Sequence, residues 1–501
     1  DIASFARPNA RSASLIIANP YGITVNGSRF INASDVVLAT GSVNSVGAAG
    51  VTFQLSDQAI TVEDPTETGT TSLNAADLAL ISREVQLQGK IDAQNLRVYG
   101  HNGQATYTYS DGSVSTSSTG ASSNAAPTYV IDSSALGGMY ANTILLVASE
   151  AGTGVRALGN MAALGDTISI TADGDLVIGD AAANAVAIQA NTLNLTSTDA
   201  TATISVTNAN LSAEASNAAP SVGGTITVNA AGALALDAAT MQSMAASNQV
   251  DGEPVISEGT ISLTSDTLSL TNDSVVAAAT DLTTATTGEA NISSGAMLGQ
   301  SVDMQAGSLV VDDNGLLEST NVDATLVGAV TIAADTNITV TGEINTGFGT
   351  SSISSSSGDI AFNAGSTLTG QNVTVGDGAQ STTFAADSTV AIAGDLSVLG
   401  DTVATEESMS VVGNLTIGGP TSATTVGSSD GTSTLSVGGD WVVRGQSIDV
   451  LGDAAVSGTT TLGESAESSV TVIHAQSAIT STQALSVDGA SLEIDGDVVV
   501  R

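Results

Sequence analysis

Apolar residues two apart punctuate the chain from about residue 165 onward: Ile168/Ile170, Leu176/Ile178, Val186/Ile188, Leu193/Leu195, Ile204/Val206, Ile226/Val228 and Leu234/Leu236. A period of two is that of a strand with one buried face. Taken alternately, positions 168, 186, 204 and 226 advance by 18, 18 and 22 residues, and the companion series 176, 193, 211, 234 by 17, 18 and 23. A recurrence near 20 residues is a β-solenoid period, not that of a propeller or a helical repeat. Later pairs continue it, among them Ile261/Leu263, Ile338/Val340, Leu396/Val398, Leu415/Ile417, Leu435/Val437 and Leu492/Ile494. Gly-Asp or Gly-Asn corners stand beside them: Gly394-Asp395, Gly413-Asn414, Gly439-Asp440, Gly452-Asp453 and Gly496-Asp497. The predicted fold class is all-β, a right-handed parallel β-helix (solenoid) with short extra-helical loops. Stacked coils about 4.8 Å apart bury aliphatic ladders and leave Ser, Thr, Asn and Asp to water; coils of roughly 20–23 residues give about 22 of them, a rod on the order of 100 Å.

The same short strands open the chain. Leu15–Ile17, Ile23–Val25 and Val36–Leu38 are β-favouring runs cut by Asn19-Pro20-Tyr21-Gly22 and Asn26-Gly27. They are read as the first coils, on which the rest stacks. Residues 109–127 are Ser/Gly/Thr-rich and read as an exposed loop. Residues 237–258 break the alternation and read as a short helix or a projecting loop; residues 349–358 read as another excursion. The expected division is 1–164, a distinct β-helix start, and 165–501, a repeat array.

Composition narrows the partners. Fifty acidic residues against nine basic ones give a formal charge of −41, and six of the nine lie in the first 100 residues. Phosphate neutralisation needs Lys and Arg, so nucleic acid is not an expected partner. Aromatics are 3%, so the core is aliphatic and layered. With no cysteine, disulfides and thiolate metal sites are excluded. No run of 18 apolar residues marks a membrane-embedded protein, and DIASFARPNARS lacks a signal-peptide core, which points to a processed N-terminus.

Several separate motifs together carry a resemblance. ANPYGITVNG, SRFINASDVVLATG, VQLQGKIDAQNLRV and DSSALGGMYANTILLVASEAGTGVRALGNMAALGDTISITADGDL, in order over about 1–180, resemble the secretion-domain region of filamentous-haemagglutinin-like exoproteins of two-partner secretion systems. The family pattern Asn-Pro-Asn-Gly-Ile reads here Asn19-Pro20-Tyr21-Gly22-Ile23, with Tyr21 for the second Asn. The resemblance implies export through a cognate outer-membrane pore, a longer precursor with a further segment before Asp1, and a role for Asn19, Pro20, Gly22 and Ile23 in secretion or in folding the first coils. Asn-Pro-x-Gly is equally a turn that sets coil geometry.

Candidate chemistry is sparse. β-Helical polysaccharide enzymes use clustered carboxylates beside a base; Asp173/Asp175, Asp312/Asp313 and Asp495/Asp497 are the acidic pairs, read chiefly as solvated corners. No catalytic residue is assigned and no enzyme is expected. No cofactor is expected, though Asp173, Asp175, Asp312 and Asp313 supply oxygens that suit calcium. His101 and His474 read as surface or corner residues, and Trp441, beside Arg444, as packed at a corner. Leu15 and Ile17 at one end, with Val498 and Val500 at the other, are candidate stacking ends. The expected protein is an extracellular, structural or adhesive β-helix at the surface of a Gram-negative bacterium, assembling head to tail into filaments. The alternatives are an adhesin stalk binding cell-surface or matrix glycans, and a polysaccharide-acting enzyme.

Overall fold

In the computed structural model, described residues are 13–64, 71–163, 166–182, 184–214, 224–244, 247–250, 253–256, 259–320, 327–463 and 469–501. Two compact units divide the chain, Asp1–Thr260 and Ile261–Arg501. Both are parallel β-helices, and no helix long and apolar enough to cross a membrane occurs among the described residues.

Each coil contributes three strands. In the first unit one face stacks Ala13–Ala18, Ala33–Ala39, Asp77–Ser82, Asn95–Gly100, Thr143–Ala148, Thr167–Ala172, Thr192–Ser197 and Thr225–Ala230, all parallel. A second face runs from Ile23–Asn26 through Ala59–Glu63 and Glu84–Leu87 to Ala233–Asp237. A third begins at Ser28–Arg29 and Thr71–Asn74. The inward residues are those of the period-two pattern: Ile168, Ile170, Leu193, Leu195, Ile226 and Val228 are all 0% exposed. Each such side chain contributes about 1.5–3 kcal/mol by leaving water.

Three strands per coil correct the alternate-pair series. Ile168 stacks on Leu193 and then Ile226, while Leu176 stacks on Ile204 and Leu234. Val186 belongs to the third face and pairs with Ala209. Every third pair, not every second, is a neighbour.

Three loop readings are also corrected. Residues 237–258 hold a coil strand, Thr240–Met244, and an antiparallel hairpin, Ser247–Val250 with Glu253–Ile256. Thr350–Ser355 is a regular coil strand whose Ile353 is buried, so 349–358 is no excursion: its serines alternate with inward positions and hydrogen-bond to the neighbouring coil. Within 109–127, Val114–Ser117 is a strand.

The second unit repeats the plan with shorter strands and resolves the Gly-Asx corners. The Asp395 N–H donates to Asn372 Oδ1 (3.0 Å), the Asn414 N–H to Asp395 Oδ1 (2.7 Å), the Asp440 N–H to Asn414 Oδ1 (2.9 Å) and the Thr459 N–H to Asp440 Oδ1 (2.7 Å). A Cβ on Gly394, Gly413, Gly439 or Gly458 would overlap the oxygen that the preceding coil presents there. Glycine is required by that close approach, not by a turn angle. Inside, Phe362 stacks on Phe384 with ring centroids 4.5 Å apart.

Candidate functional site

The first coils carry what the repeat array lacks: an extra sheet on their outside. Gly41–Val46, Gly50–Leu55, Gln104–Thr108 and Val114–Ser117 form a four-stranded antiparallel sheet. It covers the outward face of the first sheet of coils. There Val37, Ala39, Ala79, Ile81 and Tyr99 are apolar where a solenoid surface is normally polar. With Val51, Phe53, Ala105 and Tyr107 they make a second core outside the helix. Phe53 is 0% exposed. Burial pushes the hydroxyls of Tyr99 and Tyr107 above the usual phenol range.

Arg83 clamps this region. Its guanidinium donates to Glu150 Oε1 (2.7 Å) and Oε2 (3.0 Å), to Asp57 Oδ1 (2.5 Å) and to the Asn124 carbonyl (2.9 Å). Asn102 Nδ2 adds bonds to Glu150 Oε1 (3.1 Å) and the Ser122 carbonyl (3.0 Å). Residues distant in sequence are thus tied at one corner, and the segment after Val114–Ser117 is held against the coils. The Ser122 hydroxyl, then Arg83 and Asn124, hold the Asp57 carboxyl below its ordinary range against the opposing effect of burial. Glu150 and Asp57 together hold the guanidinium protonated.

Asn19, Pro20, Gly22 and Ile23 form the first turn. The Tyr21 N–H donates to Asn19 Oδ1 (3.1 Å) and Asn19 Nδ2 donates to the Gly22 carbonyl (2.8 Å), so the Asn19 side chain closes the turn on itself. Gly22 has φ +99°, a left-handed conformation that a side chain would strain. Tyr21, the departure from the family pattern, is 88% exposed and leaves this geometry unaffected.

The acidic pairs do not converge. Asp173 Oδ1 accepts the Gly152 N–H (2.7 Å) and Asp175 Oδ1 the Thr203 N–H (2.9 Å), so both serve as corner acceptors between coils. Asp312 Oδ1 accepts the adjacent Asp313 N–H (3.0 Å). Asp495 and Asp497 are exposed on the last coil. Among the described residues no three His, Cys, Asp or Glu side chains are grouped to hold a metal ion. His101 is 6% exposed at a corner, with Nδ1 3.0 Å from Ser149 Oγ; it is a buried corner residue, not a surface one. His474 Nε2 lies 3.2 Å from Asp449 Oδ1. Trp441 is fully buried and opens the strand Trp441–Val443, which removes it as a sugar-stacking platform. Leu15 and Ile17 are over a third exposed on the first strand; Val500 is exposed and Val498 half-buried on Asp497–Val500.

Sequence reasoning missed the clamp and the extra sheet. The available signal was the apolar outward positions of Ala33–Ala39 and Asp77–Ser82, which break the period-two rule on both faces.

Comparison with known proteins locates the match in this region. The model of the TPS secretion domain matches residues 7–178. The chain is 37% identical over 169 residues to the 16S rRNA endonuclease CdiA of Enterobacter cloacae, covering 34% of the chain and 5% of that relative. It is 35% identical over 168 residues to the tRNA nuclease CdiA-2 of Burkholderia pseudomallei, covering 33% and 5%. It is 32% identical over 175 residues to the filamentous hemagglutinin of Bordetella pertussis, covering 34% and 5%. The chain therefore spans about a twentieth of the length of these relatives. No solved structure matches it. The expectation of a non-enzyme is corrected, since relatives are named as nucleases; their likeness is confined to the secretion-domain region and establishes no nuclease activity for this chain. With the ordered turn at Asn19, the outer sheet and the coil stack, these matches place the chain among two-partner secretion exoproteins of the filamentous-hemagglutinin type, with its TPS secretion domain at residues 7–178.

Proposed function

We propose that this chain is exported across the outer membrane of a Gram-negative bacterium by a cognate transporter that recognises residues 7–178, and that its β-helix serves as an extended structural or adhesive surface outside the cell. The observation that carries the reading is the TPS secretion domain match, laid over a β-helix start bearing its own covering sheet. Adhesion is favoured by the likeness to a protein named filamentous hemagglutinin. The acidic, small-residue exterior suits neutral or cationic cell-surface and matrix glycans over anionic polymers.

Expression in a host with and without the cognate transporter tests export. Chain in the medium or on the cell surface only with the transporter is the expected result; equal release in its absence would refute the proposal. Adhesion is read separately, by binding of the purified chain to a glycan array and to whole cells. Binding to neither rejects the adhesive part and leaves the export part standing.

A further inference from the structure

The Gly-Asx corners of the second unit have a direction. At each rung of Asn372, Asp395, Asn414, Asp440 and Thr459, the side-chain oxygen sits on the earlier coil and the backbone N–H on the later one. The same sense holds at two other corners, where Asn337 Oδ1 accepts the Asp359 N–H (3.0 Å) and Asp453 Oδ1 accepts the Ala478 N–H (2.8 Å). Glu407 runs against it: its Oε2 accepts the Asp387 N–H from the earlier coil.

A relay follows from the four linked rungs. The backbone of Asp395 is fixed by Asn372, and that fixes the direction in which Asp395 offers its own oxygen to Asn414. Asn414 in turn sets Asp440, and Asp440 sets Thr459. An Asx residue whose N–H has no partner keeps a free backbone and a freely rotating side chain, so its oxygen is not held in place for the next coil. The glycine before each Asx adds a register check. Only a residue without Cβ can pass over the oxygen already standing at that corner. A coil docked one residue out of register brings a side chain there, and it also turns its apolar face outward.

We propose that the staircase from Asn372 to Thr459 is a one-way folding relay, in which each coil selects the register of the next and the coils close in N-to-C order. The proposal concerns the residues 372–459 and stands apart from transporter recognition at residues 7–178.

Pulse-labelled hydrogen exchange during refolding of the full chain tests it. The strands Asn372–Asp377, Leu396–Val398, Leu415–Ile417 and Trp441–Val443 are expected to gain protection in that order. Asn414→Ala should delay protection of Trp441–Val443 by about tenfold, the weight of one lost hydrogen bond, and leave Asn372–Asp377 on its original time course. Asn414→Asp, which keeps the accepting oxygen, should restore the order. Simultaneous or reversed protection in the unaltered chain overturns the relay without recourse to any variant. A delay by Asn414→Ala that is equal on both sides of the substitution overturns it as well.

Discussion

At the level of single residues, the corners are governed by which atom already occupies the space. Gly413→Ala forces a methyl onto Asp395 Oδ1 and the Gly394 carbonyl. The expected cost is about 1–3 kcal/mol, typical of overpacking. Local hydrogen exchange at Leu415–Ile417 should report it as lost protection. The rungs also alternate amide and carboxyl: Asn372, Asp395, Asn414, Asp440. No two carboxylates are stacked on neighbouring coils of this ladder. Asn414→Asp would stack three. Like charges raise the folded-state pKa of the group, so stability is retained below the unfolded value of about 3.9 and lost as pH rises through the folded one. Denaturation of this variant and of the parent at acid and neutral pH should converge at the acid end and separate at the neutral end. At the other end of the chain, Asn19→Ala removes both bonds that close the first turn. It should cost about 0.5–1.5 kcal/mol per bond, read as faster exchange of the Tyr21 and Gly22 amides.

Elements show where the sequence was legible. Period-two pairs such as Leu193/Leu195 identified strands and their inward faces, because burial on one side leaves a pattern of two. The order of stacking was less visible. Coils with two, three or four strands produce the same pairs, and only the paired register separates Leu193 from Val186 as the neighbour of Ile168. The serine run Thr350–Ser355 looked like a loop because small hydroxyls fill inward positions as readily as outward ones; Ser351 and Ser355 are each 1% exposed. The candidate site was legible as a turn at Asn19 and as a family likeness. The Arg83 clamp was not, since its partners Asp57, Asn124 and Glu150 share no motif and meet only after the coils stack. Removing the guanidinium by Arg83→Met leaves two carboxylates at that corner, Glu150 largely buried and Asp57 partly open. A loss of about 3–5 kcal/mol is expected at the buried end of the scale. Limited proteolysis within residues 118–127 should quicken. The clamp weakens with acid in the unaltered protein too. Asp57 is held below its ordinary pKa, so its contribution is present above about 4 and is lost as pH falls through the lower folded value.

For the molecule as a whole, charge is the dominant unpaired quantity. Residues 261–501 hold 28 Asp and Glu against two Arg, Arg444 and Arg501. Self-repulsion along such a chain is strongest when the screening length is long. Raising ionic strength from 0.01 M to 0.15 M shortens it from about 30 Å to about 8 Å. Thermal unfolding should therefore shift upward across that range. A shift of equal size with potassium and sodium chloride would identify screening, and an added step at micromolar calcium would identify a bound ion.

The corner staircase also makes the coil a unit that can be cut out. Deleting residues 395–413 removes the strands Leu396–Val398, Thr402–Thr405 and Met409–Val411 together and leaves Gly394 followed directly by Asn414. The junction is again a glycine and an Asx residue, facing Asn372 as Gly394-Asp395 did. Lineages carrying such corners could gain or lose length one whole coil at a time without a misfit, much as a tape measure is shortened at its graduations.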